Sequence, residues 1–338
     1  MIKKGKNEKV EKKKNLPVGI DNFEVMIQNN YYYFDKTGLI EEILESGTTR
    51  ILFTRPRRFG KSLNMSMLKY FFDVKNKDEN KKLFENLEIS KSEYFDRQGQ
   101  NPVIFISFKD FEDSDWKKGY NSIKWTISDV YNQFKFLREN LDERDLVEFD
   151  KVWFKEDYDY TRALLDLSRY LYEYYGKKIV LLIDEYDKPL IATLENQELQ
   201  EQYRATLKAF YSVIKSSNDY IHLSFLTGVT KFSKVSIFSD LNNLFDISFD
   251  EEYSSLCGIT EEELLSNFMP EVQEMANEYN ESYDNMLAIL RRKYDGYRFG
   301  RNEERIYNPF SLFNVKAKTD NAIYNFEFKV GGKPPPMP

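Results

Sequence analysis

Short apolar runs alternate with longer stretches of helical periodicity over most of the chain. Arg50 to Thr54 (RILFT), Val103 to Phe108 (VIFISF), Ile179 to Ile183 (IVLLI) and Ile221 to Leu226 (IHLSFL) are such runs, and Phe245 to Phe249 is a fifth candidate. Their length and their Ile, Val, Leu and Phe content predict strands buried on both faces. Between them, apolar residues recur at helical spacing. Leu39, Ile40, Ile43 and Leu44 lie on one side of a helix over Gly38 to Ser46. Leu63, Met67, Leu68, Phe71 and Phe72 mark a helix over Lys61 to Asp73. Trp116 to Asn140, Tyr160 to Tyr175 and Gln197 to Lys215 read the same way. Strands alternating with helices imply an α/β fold, a mainly parallel sheet flanked by helices. From about Thr260 to Tyr307 the pattern becomes mostly helical and predicts a small second region. Residues 1–15 and the closing GGKPPPMP (331–338) read as disordered tails.

Composition narrows the classes available. The 338 residues carry a formal net charge of -7, so there is no protein-wide basic field of the kind that holds nucleic acid. The exception is the N-terminal crowd of Lys3, Lys4, Lys6, Lys9, Lys12, Lys13 and Lys14, read as a solvated tail, with a phosphate-binding arm as the lesser alternative. It is too polar for a signal peptide. No run of about 18 apolar residues occurs, so no membrane span is expected. Cys257 is the single cysteine and His222 the single histidine. This leaves no material for a cysteine zinc site or a multi-histidine centre, and it fits a reducing cytoplasm.

The candidate chemistry begins at the end of the first strand, in Thr54-Arg55-Pro56-Arg57-Arg58-Phe59-Gly60-Lys61-Ser62. A phosphate cradle needs inward-pointing backbone N–H groups at the start of a helix. Gly60 allows the close approach, Lys61 reaches the β- and γ-phosphates, and the Ser62 hydroxyl holds Mg2+. Arg57, Arg58, Phe59 and Leu63 complete the expected nucleotide-binding stretch. The usual pattern has a glycine where this chain has Arg55, and Pro56 removes a backbone donor. The competing reading is a basic turn whose arginines face solvent.

The run IVLLI ends at Asp184-Glu185. Ligands in open α/β sheets sit beyond the carboxyl ends of the strands, which places this pair where chemistry is expected. Asp184 is the candidate magnesium ligand, and Glu185 the candidate general base polarising water. Asp187 follows, read first as a cap for the next helix and second as a brace for the site. At the end of the next strand Thr227 is the first choice for a polar contact to the γ-phosphate, with Thr230 and Lys231 behind it. Arg204 and Arg298 are weak candidates for an arginine reaching the γ-phosphate.

Together these segments resemble a known family. LPVGIDNFEVMIQNNYYYFDKT (16–37), RPRRFGKS (55–62), LLIDEYDKP (181–189), FLTGVTKFSKVSIFSDLNNL (225–244), YDGYRF (294–299) and YNPFSL (307–312) are similar to the bacterial AAA-ATPase-like proteins. The resemblance implies a P-loop NTPase domain over 16–255 and a helical or winged-helix-like subdomain over 256–314. The arginine in place of the first glycine is shared by RPRRFGKS-type loops. Members commonly carry a C-terminal PD-(D/E)xK nuclease-like domain, and Ile323 to Val330 resembles its E-x-K strand, with Glu327 and Lys329 as the pair. Residues 315–330 have no room for the body of such a domain and are read as a remnant without nuclease activity.

Three functions are carried forward. The first is ATP binding with Mg2+-dependent hydrolysis coupled to movement of the helical region. The second is a nucleotide-binding switch or adaptor with little turnover. The third is a nucleic-acid-processing protein whose nuclease part is truncated. No N-K-x-D run reads the base, so ATP is preferred over GTP by resemblance alone, and the partner and oligomeric state stay open.

Overall fold

Five parallel strands form the central sheet: β1 (Arg50–Thr54), β2 (Val103–Ser107), β3 (Ile179–Asp184), β4 (Ile221–Gly228) and β5 (Phe245–Asp246), in the order β2-β3-β4-β1-β5. The computed structural model describes residues 14–113, 115–216, 219–230, 244–300 and 305–317. The apolar strands are buried because their side chains alternate between two cores. Ile104, Ile106, Ile179, Leu181 and Ile183 point into one, against helices Trp116–Gln133, Ala163–Tyr175 and Gln197–Tyr211. Ile51, Phe53, Val180, Leu182, Leu223 and Phe225 point into the other, against helices Gly38–Ser46 and Lys61–Phe72. A sheet covered on both faces needs apolar residues at consecutive strand positions, which is the pattern of IVLLI.

The expected strands agree with those observed to within a few residues. The helices differ more. The stretch from Trp116 to Asn140 breaks at Phe134, after which Lys135–Glu139 continues as a 3-10 turn. The helix expected from Tyr160 starts at Ala163. Helix Glu143–Trp153 is not among the expected elements, although Leu146, Phe149, Val152 and Trp153 recur at helical spacing between charged residues.

The C-terminal region is not purely helical. Helices Glu261–Asn267, Met269–Glu278, Tyr283–Tyr294 and Pro309–Ala317 surround a three-stranded antiparallel sheet of β6 (Ile259–Thr260), β7 (Asp295–Tyr297) and β8 (Ile306–Tyr307), ordered β6-β8-β7. Strands of two or three residues leave no alternation to detect, so the periodicity of their neighbours masked them. A third core joins these helices to the N-terminal aromatic run: Tyr32 and Phe34 pack with Phe268, Leu290 and Phe313. Among the described residues no helix is long and apolar enough to cross a membrane.

Register sets up the site. β4 lies between β1 and β3, with Thr54 opposite Gly228 and Ile183 opposite Leu226. Neighbouring strands are about 4.8 Å apart, so the ends of β1 and β3 are separated by roughly twice that, with Thr227 between them.

Candidate functional site

Residues 55–60 link β1 to helix Lys61–Phe72, and two of them bend the chain with positive φ, Arg58 at 68° and Gly60 at 94°. Nothing lies within 4 Å of where a Gly60 side chain would stand, so the glycine answers to its backbone angle rather than to crowding. The turn opens the helix at Lys61. The buried Lys61 amine donates to the carbonyls of Arg55 (2.9 Å) and Pro56 (3.0 Å), closing the loop around its own cation. Burial pushes the Lys61 amine below the ordinary lysine value, while Cys257, Asp184, Glu185 and Asp187 pull it back up.

At the second residue of the helix, Ser62 Oγ donates to Asp184 Oδ2 at 2.6 Å across 122 residues of chain. The other Asp184 oxygen accepts from the Thr227 hydroxyl. Asp184 and Thr227 are buried, so this three-residue contact sits at the floor of the sheet edge. A carboxylate flanked by two hydroxyls suits Mg2+, which keeps waters and phosphate oxygens for its other positions. Among the described residues there is no group of three or more His, Cys, Asp or Glu that could hold a metal ion.

Glu185 takes a left-handed backbone (φ 52°), which turns it away from the line of β3. Its carboxyl is raised above the ordinary range by burial first and by Asp184 second, with Lys61, Lys188 and Arg57 opposing. Arg57 is exposed at the crest of the loop. The Arg58 guanidinium lies 4.1 Å from the ring centre of Phe310 on the last helix, and the buried Phe59 ring packs edge-on against Tyr297 and Phe299. Both side chains thus contact the C-terminal region, while their backbone lies in the loop.

Arg55 accounts for the missing glycine. Its side chain is 1% exposed. It donates to the carbonyls of Thr54 (3.1 Å), Ser248 and Tyr253 (2.9 Å), and its guanidinium lies 4.4 Å from the ring centre of Phe53 and 4.1 Å from that of Phe299. The sequence marked this residue only as a departure from a pattern. Its partners beyond the strand, Ser248, Tyr253 and Phe299, lie about 200 or more positions downstream and leave no local trace.

Asp187 stands at the N-cap position of the next helix, but its side chain makes no capping bond there; its Oδ2 accepts from Val229 N (2.8 Å), Thr230 N (2.8 Å) and Thr230 Oγ1 (3.1 Å). Thr230 therefore serves the turn after β4. Arg204 is paired with Glu201 at 2.5 Å, and Arg298 lines a cavity with Phe249 and Tyr253. His222 is exposed at the start of β4. Lys231, Glu327 and Lys329 lie outside the described residues.

Sequence reasoning missed the cavity beside the loop. It has a volume of about 350 Å³ and is walled by Tyr32, Phe34, Leu63, Cys257, Phe310 and Phe313, among others, with Gly60 and Ser62 at its edge. The aromatic run at 31–34 was the available signal, but its partners come from the other end of the chain.

Residues 17–238 match the family model described as predicted AAA-ATPase. The chain is also 35% identical over 318 residues to a curated protein of Azotobacter chroococcum mcd 1 described as an uncharacterized protein in the vnfD 5'region. That alignment takes in 93% of this chain and 54% of the relative, so the chain spans about half the relative's length. No solved structure matches the chain.

Proposed function

Since the chain belongs to the predicted AAA-ATPase family, we propose that it binds ATP with Mg2+ at the loop 55–62 and hydrolyses it at the Asp184–Glu185 edge. The observation that carries this reading is the Ser62–Asp184 hydrogen bond at 2.6 Å, which unites the helix opening at Lys61 with the acidic strand end. The N-terminal N–H groups of helix Lys61–Phe72 face the triphosphate, and Lys61 leaves its two loop carbonyls for phosphate oxygens. Ser62 and Asp184 hold the magnesium, which supplies Lewis-acid stabilisation of the charge on the phosphates. Thr227 keeps Asp184 oriented. Glu185, with a carboxyl more basic than usual, accepts the proton of the attacking water. The aromatic cavity beside Gly60 and Leu63 seats the base, and Arg58 and Phe59 pass changes in the loop to the C-terminal helices.

Titration with labelled ATP and GTP, with and without Mg2+, tests the binding half. Lys61→Ala should lose nucleotide binding, and retained affinity would remove the loop from the site. Glu185→Gln should keep binding and lose turnover by about a hundredfold or more, in the range general bases contribute. Unchanged turnover would end the assignment of Glu185.

A second reading, a nucleotide switch with little turnover, draws on the same loop. Lys61 is already satisfied by Arg55 and Pro56, and Arg55, Arg58 and Phe59 are built into the C-terminal region. Tight binding in a wild type that turns over no faster than Glu185→Gln would favour it. A nucleic-acid-processing role would need DNA retention that weakens with salt.

A further inference from the structure

The residues Asp184-Glu185-Tyr186-Asp187 are fastened to Thr227-Gly228-Val229-Thr230 by more than strand pairing. The Thr227 hydroxyl donates to Asp184, and Tyr186 N donates to the Thr227 carbonyl at 2.9 Å. The Tyr186 hydroxyl donates to the Thr230 carbonyl at 2.9 Å. Asp187, fully buried, gathers two backbone N–H groups and one hydroxyl of the turn on a single oxygen. Its other oxygen, Oδ1, has no hydrogen-bond partner among the described residues and faces Gly228. A side chain at Gly228 would stand 2.6 Å from the Tyr186 ring and 2.8 Å from Asp187 Oδ1, so the glycine lets the turn press directly onto the carboxylate.

A helix cap does not need this arrangement, and neither does packing alone. Burying a carboxylate costs several kcal/mol unless donors surround it, and an apolar residue would fill the space at less cost. What a charged acceptor provides is direction: it fixes the N–H groups of residues 229 and 230, and with them the position of the Thr227 hydroxyl two residues earlier. That hydroxyl holds one oxygen of Asp184, whose other oxygen meets Ser62.

We propose that Asp187 is a positioning residue which, by fixing the turn after β4, holds the Thr227 hydroxyl on Asp184 and so sets how tightly the Ser62–Asp184 pair takes Mg2+. This rests on the nucleotide reading above. It adds that the metal's affinity is governed by a carboxylate that touches neither metal nor nucleotide, as outer-shell partners govern metal ligands elsewhere.

The test is the Mg2+ concentration at which a fluorescent ATP analogue reaches half its maximal gain in affinity, measured on the full chain. Asp187→Asn keeps the shape and removes the charge. It should raise that concentration about tenfold or more while leaving Mg2+-free nucleotide affinity near wild type. Thr227→Val should also raise that concentration, and the double variant should be no worse than the worse single, because both act through one path. Thr230→Val, which removes one of the three donors, should shift the midpoint less but in the same direction. It carries the same cycle with Thr227→Val if Asp187→Asn fails to fold. An unchanged midpoint in folded Asp187→Asn, or additive shifts in the cycle, would overturn the proposal and leave Asp187 a structural residue. A wild type that binds no nucleotide would instead bring down the reading it rests on.

Discussion

At the scale of single residues, the most informative is Arg55, because it shows why a loop can lose its first glycine without losing its shape. The guanidinium is buried between two aromatic rings and supplies donors to backbone carbonyls on a distant segment. Restoring the usual residue with Arg55→Gly should therefore harm the protein. Three carbonyls would lose their donor and a cavity would open, for a loss of about 3 kcal/mol or more. Denaturant unfolding measures this, and an ATP titration on the folded fraction should show no gain in affinity. A stable variant with tighter binding would mean that Arg55 is a defect rather than a clasp. Glu185 makes the second prediction at this scale. Burial and Asp184 raise its carboxyl, so the base is lost at a pH above that of an ordinary glutamate. The acid limb of the turnover profile should lie above the usual carboxylate range, and it should move toward that range when Asp184 is replaced by Asn in whatever turnover remains.

At the scale of elements, short strands and close approaches matter more than the long helices. Gly258 precedes β6 with φ 91°, and its N–H donates to the Phe59 carbonyl at 3.0 Å. A side chain there would stand 2.2 Å from Ile306 Cγ2 and 3.0 Å from the Tyr307 carbonyl. Gly258→Ala should cost about 3 kcal/mol from backbone strain and overpacking together, read as a lowered thermal midpoint. The loop 55–60 should loosen with it, because Phe59 is held from that side. On the helix Gly38–Ser46, burial first, then Glu252 and Glu41, raises the Glu42 carboxyl from an ordinary 4.5 to about 7. The folded state then binds the proton more readily than the unfolded chain, so this contribution is fully present below pH 4.5 and is lost as pH rises to about 7. Glu42→Gln should flatten the fall in stability across that window, measured by denaturant midpoints at a series of pH values. The same scale marks what could be read from sequence. The five long-sheet strands and the helix after the loop were visible because burial on two faces and helical periodicity are local patterns. β6, β7 and β8 were hidden because two or three residues cannot show alternation.

At the scale of the whole molecule, the site is assembled from segments far apart in the chain. Lys61, Ser62, Asp184, Glu185 and Thr227 were legible because each sits at a strand end or helix start, where a parallel sheet gathers ligand-binding groups. The cavity wall, the Arg55 clasp and the Asp187 brace were not legible, because each depends on which distant surfaces meet. Tyr32 and Phe34 from the N-terminal side meet Phe268 and Phe313 from the C-terminal side, and both groups border the cavity next to Gly60 or pack behind it. If the base sits in that cavity, ATP with Mg2+ should slow amide hydrogen exchange in three places at once, around residues 19–21, 61–64 and 256–259. Slowing confined to 61–64 would place the base outside the cavity.

The Arg55 clasp also bears on where the protein can be divided. The family match ends at residue 238, whereas the distant groups that bond to and enclose this guanidinium lie at 248–253 and 299, and the outer neighbour of β1 begins at 245. A fragment trimmed to the matched length would carry an ionised group with half its shelter removed and a raw sheet edge beside it. Expressed side by side, a piece ending at 238 should aggregate, while one ending after 317 stays monodisperse in size-exclusion chromatography. In physical terms the smallest piece that can stand alone is larger than the stretch the family model matches.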